Sequence, residues 1–241
     1  MVKIDASGLH FETLNRMLKS SQDKHIEVTN LLGHRYIGAG LEPGSKLDLY
    51  GTPGNALGAY LSNCEIIVHS NAQDATGDTM DSGKIVIHGN SGDTTGYAMR
   101  GGEIYVQGNA GYRVGIHMKA YEDHRPVIVI GGKAGDYLGE YQAGGILIVL
   151  GIGAEGVPVG GYCGTGMHGG AIYIRSEEPP RRLPAQVTVN KCTPEDLKEI
   201  LPYLTEYCHQ FGADEKDLVS STFYKLSPNS KNPYRQLYVH N

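Results

Sequence analysis

The chain of 241 residues lacks the marks of a nucleic-acid binder, a membrane protein or a disulfide scaffold. Lys and Arg number 21 against 26 Asp and Glu, a formal net charge of -5, so no basic surplus exists to neutralise phosphates. No apolar run approaches the roughly 18 residues that span a bilayer. The opening "MVKIDASGLHFETLNRML" has no apolar core of a secretory signal. Nucleic acid and membrane are therefore not expected as partners, and the cytoplasm is the expected location. Cys64, Cys163, Cys192 and Cys208 are scattered, with no C-x-x-C. That argues against a zinc ribbon, an Fe–S site or a disulfide framework, and predicts reduced structural thiols. No P-loop, Ser–His–Asp or Cys–His arrangement follows from any spacing. No catalytic, cofactor-binding or metal-ligating residue is expected in the chain.

Glycine is what the chain has in excess. Of 34 glycines, 28 lie between Gly51 and Gly170 and six elsewhere. The region reads as rungs of the form G-x3-G-x5-G-x followed by a short apolar strand. The first position of each rung is Gly54, Gln73, Gly92, Gly111, Gly135 and Gly160, with steps of 19, 19, 19, 24 and 25 residues. The second is Gly58, Gly77, Gly96, Gly115, Gly139 and Gly164; the third is Gly83, Gly102, Gly145 and Gly170, with Cys64 in the first rung. The strands fall at Ile66–Val68, Ile85–Ile87, Ile104–Val106, Val127–Ile130, Ile146–Val149 and Ile172–Ile174. An earlier one lies at Leu47–Tyr50.

A unit of 19 residues with one short strand buries its apolar face only by stacking on its neighbours. The segments between strands are too short and glycine-rich for βαβ crossovers, and a propeller blade needs roughly 40 residues. The pattern predicts an all-β fold, a single-stranded right-handed parallel β-helix of about six or seven coils with flanking helices. At about 4.8 Å per coil the rod is about 30 Å long, and glycines are expected to supply its φ > 0 corners. The expected layout is a helical N-terminal cap over 1–23, the β-helix over 24–178, and a C-terminal helix with an extended strap over 179–241. The first helix covers 9–21, with Ser7 or Asp5 as its cap. The second, over 193–212, has Thr193 as cap, Pro194 in its first turn and Gly212 as its stop. Pro202 is expected to kink or split it. Tyr224, Tyr234 and Tyr238 are expected to pack on the rod or on a partner.

Four features compete for chemistry. "LIVLGIGAEG" places G-x-G-x-x-G at Gly151, Gly153 and Gly156 after a strand, the outline of a dinucleotide turn. No helix can start in "VPVGGYCGTGMHGG", so the expectation is a widened corner without cofactor. The position after the first rung glycine holds Asn55, Asp74, Asp93, Tyr112, Asp136 and Gly161. Asp74, Asp93 and Asp136 would serve a polysaccharide-acting enzyme if they lined a groove; the alternative is Asx side chains bonding their own turns. His69 and His88 stack, but Gln107 and Ile130 follow, so a solvent-facing polar column is expected over a metal site. The longer loop "IHMKAYEDHRP" exposes His117, Lys119, His124 and Arg125, the candidate partner-docking residues.

The rungs "GNALGAYLS", "NAQDATGDTMDSGKIVI", "GYAMRGGEIYVQGNAG", "GDYLGEYQAGGILIVLG" and "GTGMHGGAIYI" resemble the C-terminal GXGXG domain of the large (alpha) subunit of glutamate synthase, as a stand-alone version. "IDASGLHFETLNRML" and "NLLGHRYIGAG" resemble its lead-in, and the likeness spans about residues 4–178. The resemblance implies a β-helix that is not itself catalytic. It would bridge an amidotransferase chain and an FMN- and Fe–S-bearing barrel chain, which move ammonia from glutamine to 2-oxoglutarate and make glutamate. Those cofactors would sit on the partner, none on this chain. N-methylglutamate synthase and one chain of formylmethanofuran dehydrogenase carry related repeats. The loop 116–126 and the tail 179–241 depart from the family pattern and are the expected interfaces. A homo-oligomer is the alternative, because open ends of a β-helix expose unpaired strand edges.

Overall fold

The computed structural model describes residues 1–229. Eleven strands form one sheet: β1 (Val2–Asp5), β2 (His25–Leu32), β3 (Lys46–Thr52), β4 (Cys64–Val68), β5 (Gly83–Ile87), β6 (Glu103–Val106), β7 (Val127–Ile130), β8 (Ala143–Val149), β9 (Gly169–Arg175), β10 (Val187–Lys191) and β11 (Phe223–Pro228). Three helices join them: α1 (Phe11–Ser20), α2 (Pro194–Phe211) and α3 (Glu215–Ser220). The sheet order is β1 to β9 in sequence, then β11, then β10. β1 to β9 run parallel, and β11 and β10 pair antiparallel. The result is a parallel β-helix of about seven turns.

Every rung strand falls where the glycine register placed it. Two inward columns run through the rod: Leu47, Ile66, Ile85, Ile104, Ile128, Leu147 and Ile172, then Leu49, Val68, Ile87, Val106, Ile130, Val149 and Ile174. All are buried. Full burial of an aliphatic side chain contributes about 1.5–3 kcal/mol, so these columns are the main stabilising element. A third inward column (Leu61, Met80, Met99, Met118, Gln142, Met167) follows the turns, and Gln142 is its one polar member.

The turn segments bond in both directions along the rod. Gly77 N–H donates back to Leu57 O, while Ala75 N–H donates forward to Asp93 O. The repeat glycines divide by role. Those in the second position have φ > 0; at Gly58, with φ +65, a Cβ would lie 2.6 Å from Ile85 Cδ1 of the next coil. The first-position glycines are not left-handed. At Gly92 the obstacle is Asp74 Oδ1, which occupies the space a Cβ would need. The second- and third-position glycines thus supply the expected φ > 0 corners, while the first-position glycines make room for a neighbour. The second residue after the first position is left-handed without glycine, at Ala56, Ala75, Thr94, Arg113, Tyr137 and Tyr162.

The ends are closed differently. At the N-terminal end β1 pairs in parallel with β2, and α1 buries Leu14 and Leu18 against the core. The cap of α1 is His10, without a side-chain bond; Asp5 instead accepts from Ser7 N–H and Asn30 Nδ2, because it belongs to β1. At the far end β11 pairs antiparallel with β9. α2 is capped as its sequence predicts, by a Thr193–Asp196 capping box, Pro194 in the first turn and a left-handed Gly212. Pro202 does not split it, since Ile200 and Leu204 on either side are buried. Tyr224 lies in β11; Tyr234 and Tyr238 fall outside the described residues. No helix among the described residues is long and apolar enough to cross a membrane.

Candidate functional site

The rod's interior is filled by aliphatic and methionine side chains, so chemistry or recognition has only the outer faces to use. Among the described residues two buried side-chain polar atoms have no partner, Ser91 Oγ and Gln142 Oε1; Gln142 Nε2 donates to the carbonyls of Gly144 and Gly145 at 3.2 and 3.1 Å. Cys163 is also interior, and burial pushes its thiol up to about 12, which keeps it protonated and inert.

The acidic column is structural. Asp74 Oδ1 accepts from Asp93 N–H at 2.9 Å, Asp93 from Tyr112 N–H at 2.8 Å, and Asp136 from Gly161 N–H at 2.7 Å. A second ladder runs beside it, in which Asn71, Asn90 and Asn109 accept from Asn90, Asn109 and Lys133 N–H at 2.8, 2.7 and 2.8 Å. The Asx side chains therefore bond the next coil, which corrects the expectation that they bond their own turns. Stacking in register brings the N–H one coil on opposite each Oδ1, and glycine at the first position leaves the space.

α2 divides the outer face of the sheet. Ile200, Leu204, Tyr207 and Cys208 pack on Tyr105, Val127, Val129, Ile146, Ile148 and Tyr173 of β6 to β9. Polar anchors tie the helix down. Glu199 accepts from Tyr173 Oη, Arg125 and Lys225 Nζ, and Lys84 pairs with Glu206. Burial alone would raise the Glu199 carboxyl, but these donors hold it below the usual carboxylate range.

The uncovered half of that face carries the histidines. His69 and His88 stack with centroids 5.5 Å apart, between Tyr50 at 4.3 Å and Phe211 of α2 at 5.1 Å. Asp48 meets His25 Nε2 at 2.6 Å and His69 Nε2 at 3.2 Å. Burial pushes Asp48 up and these two hydrogen bonds hold it below its ordinary value. Burial and the nearby His69 push His88 down. Among the described residues no three His, Cys, Asp or Glu are placed to hold a metal ion. Sequence reasoning missed Asp48 and Tyr50, although both sit on alternate positions of the strand before His69.

The insertion folds back on the rod. Arg125 reaches Glu199, His124 Nδ1 lies 3.7 Å from Asp81 Oδ1, and Lys119 is exposed beyond its backbone bond to Met99 O. His117 belongs to the turn face, between Tyr97 at 5.9 Å and Tyr141 at 5.2 Å. The four candidate docking residues thus do not form one patch. At the G-x-G-x-x-G corner, Gly151, Gly153 and Gly156 have φ +60, +72 and +70, and no helix follows. The corner lines a surface cavity of about 340 Å³ with Arg175, Glu177 and Glu178. The Arg175 guanidinium is engaged by Leu150 O, Ser221 and Asp217.

The fold is thus a glycine-registered parallel β-helix in which Asp74, Asp93 and Asp136 bond the N–H groups of the next coil. The chain belongs to the GXGXG motif family, which matches residues 19–231. It is 49% identical over 251 residues to "Uncharacterized protein MJ1350" of Methanocaldococcus jannaschii, covering 99% of this chain and 96% of that one. In fold it is similar to a chain of the formyltransferase/hydrolase complex FhcABCD of Methylorubrum extorquens, solved with methylofuran. There the TM-score is 0.68 at 19% identity, over 93% of this chain and 90% of that one.

Proposed function

We propose that the chain is a non-catalytic structural subunit of a glutamate-synthase-type complex, bridging an amidotransferase chain and a barrel chain that carries FMN and Fe–S. The observation that carries this is the GXGXG match over residues 19–231, nearly the whole chain. The geometry supports it. The acids that a β-helix enzyme would need are committed to backbone N–H groups, and what remains is a rigid rod with broad outer faces. In this reading the complex transfers the glutamine amide to 2-oxoglutarate, the cofactors belong to the partner, and the rod fixes the distance between two active sites. Affinity purification of the tagged chain from its native cell, with mass spectrometry and metal and flavin analysis, tests it. Amidotransferase and flavin-barrel chains are expected. A chain recovered without either refutes it.

A second reading is favoured by the fold-level likeness to a chain of the FhcABCD complex: a scaffold subunit of another one-carbon or redox assembly, of the formylmethanofuran dehydrogenase type. The same purification separates the two, because that complex would bring molybdenum or tungsten and no amidotransferase. An N-methylglutamate-synthase assembly would keep the flavin chain and use methylamine in place of ammonia.

A further inference from the structure

The ring ladder on the outer face of the sheet stops before the sheet does. Tyr50, His69 and His88 directly follow the buried Leu49, Val68 and Ile87, which pair in register, so they occupy one place in three successive coils. They stack at 4.3 and 5.5 Å with planes 12° and 8° apart. Phe211 of α2 packs on His88 at 5.1 Å and closes one end. Asp48 lies 3.2 Å from His69 Nε2 and fixes the plane of that ring. At the other end the ladder meets a bulge in β2. Val28 pairs with Leu49 and Leu31 with Gly51, so Thr29 and Asn30 together stand opposite Tyr50. The next rung is thus a threonine, too short to cover a tyrosine ring. Tyr50 is 42% exposed, and among the described residues only His69 stacks on it.

The end of the ladder opens into a cavity of about 980 Å³, lined by Ser7, Glu27, Thr29, Asn30, Leu32 and Tyr50 together with neighbouring backbone. That volume lies within the range of small-molecule sites. Leu32 is 87% exposed, more than any other large apolar side chain among the described residues. The Tyr50 ring and Leu32 give the cavity apolar surface. The Ser7 and Thr29 hydroxyls, the Asn30 amide and the Glu27 carboxylate give it hydrogen-bonding groups. Apolar surface with a few polar groups suits a flat guest with polar edges. The ladder sets the orientation, because its members are parallel rings near the coil spacing and a further ring continues the series.

Charge disfavours phosphate. Among the described residues that line the cavity none is Lys or Arg, and Glu27 is the one acid. Glu27 Oε1 accepts from Lys3 Nζ at 2.9 Å, which balances its charge and leaves Oε2 for a ring N–H. His34 has both nitrogens engaged, Nδ1 by Leu32 N–H and Nε2 by Leu9 O. Asp5, paired with Thr29 across β1 and β2, sets a second carboxylate one rung further on. We infer that this cavity binds an uncharged aromatic nitrogen heterocycle of the nucleobase type, stacked on Tyr50 in the rung that Thr29 leaves open. The cavity lies wholly on this chain, so the site stands apart from the subunit reading above.

The test uses the purified full chain and adenosine, followed by NMR. Adenosine is expected to bind with its base protons shifted upfield by the Tyr50 ring, AMP no more tightly, and ribose not at all. Tyr50→Leu keeps an apolar side chain but removes the stack, and is expected to bind about tenfold more weakly. Thr29→Phe fills the open rung from within the chain, and is expected to abolish binding with Tm unchanged or raised. The absence of any shift in the wild-type chain at millimolar adenosine, full binding by either variant, or equal binding of ribose overturns the site. Tighter binding of AMP than of adenosine overturns the uncharged ligand class.

Discussion

Replacing Gly58 by Ala isolates what the second glycine column does. The residue has φ +65, and an added Cβ would lie 2.6 Å from Ile85 Cδ1 and 3.4 Å from Ile66 Cδ1. Left-handed backbone at a non-glycine residue costs about 1–2 kcal/mol. Overpacking a dense core by one methyl adds about 1–3 kcal/mol, for a total of about 2–5 kcal/mol. In a chain of this size that lowers Tm by about 4–20 °C. Gly153 is the reference: φ +72 with no atom within 4 Å of its added Cβ, so Gly153→Ala carries the backbone cost alone, about 1–2 kcal/mol. The packing term is then tested by removing the atom that collides. Ile85→Val deletes Cδ1 and alone costs about 0.5–1.5 kcal/mol. Combined with Gly58→Ala, it is expected to cost less than the two separately, by about 1–3 kcal/mol of coupling. Denaturant unfolding followed by circular dichroism measures all four proteins. Equal losses for Gly58→Ala and Gly153→Ala, or additivity in the double variant, would refute the glycine–isoleucine contact as the reason for the column.

Three further outcomes follow from the outer faces. Asp93→Asn keeps an acceptor for Tyr112 N–H and should leave stability nearly unchanged, whereas Asp93→Ala should cost about 1–3 kcal/mol in the same unfolding assay. Glu199→Ala removes the shared acceptor of Tyr173, Arg125 and Lys225; because the group is part-exposed, about 1–2 kcal/mol is expected, with faster hydrogen exchange in α2. The folded chain disfavours charged His88, whose ordinary value is 6.5. The unfolded chain takes up that proton first, so stability should fall as pH drops below about 6.5, and Tm of His88→Gln should fall less between pH 7 and 5.

The rod was legible because its rule is local. A strand, a corner and a glycine recur each coil, and inward Ile85 or Ile104 follows from the count alone. β2 was not placed, although Ile26 and Val28 alternate with polar residues, because its coil lacks the glycine spacing used as the ruler. β10 and β11 escaped because their antiparallel pairing joins residues such as Val189 and Leu226, and no short-range pattern encodes that contact. The Asx ladder was half legible. Asp74 looks the same in sequence whether it bonds its own turn or Asp93 N–H one coil later, and only stacking decides. The left-handed tyrosines were hidden for a different reason: Tyr137 and Tyr162 occupy backbone that sequence rules assign to glycine or asparagine.

The C-terminal elements explain why the stack ends. A parallel coil presents its last strand as a template for another, and β9 would do so through Ile172–Arg175. β11 occupies that edge antiparallel, with Phe223 opposite Arg175 and Leu226 opposite Ile172, and a reversed strand cannot seed a further coil of the same kind. Past it, β10 closes the sheet with a short strand whose Thr188, Asn190 and Lys191 are exposed, features that discourage edge-to-edge pairing. The same segment supplies α2, which covers Tyr105, Ile148 and Tyr173. Truncation after Glu178 therefore uncovers a strand edge and an apolar sheet face at once. The shortened chain is expected to self-associate, giving high-mass species by light scattering at concentrations where the full chain is monodisperse. If it stays monodisperse with an intact β spectrum, the antiparallel cap and α2 are not what terminates the stack.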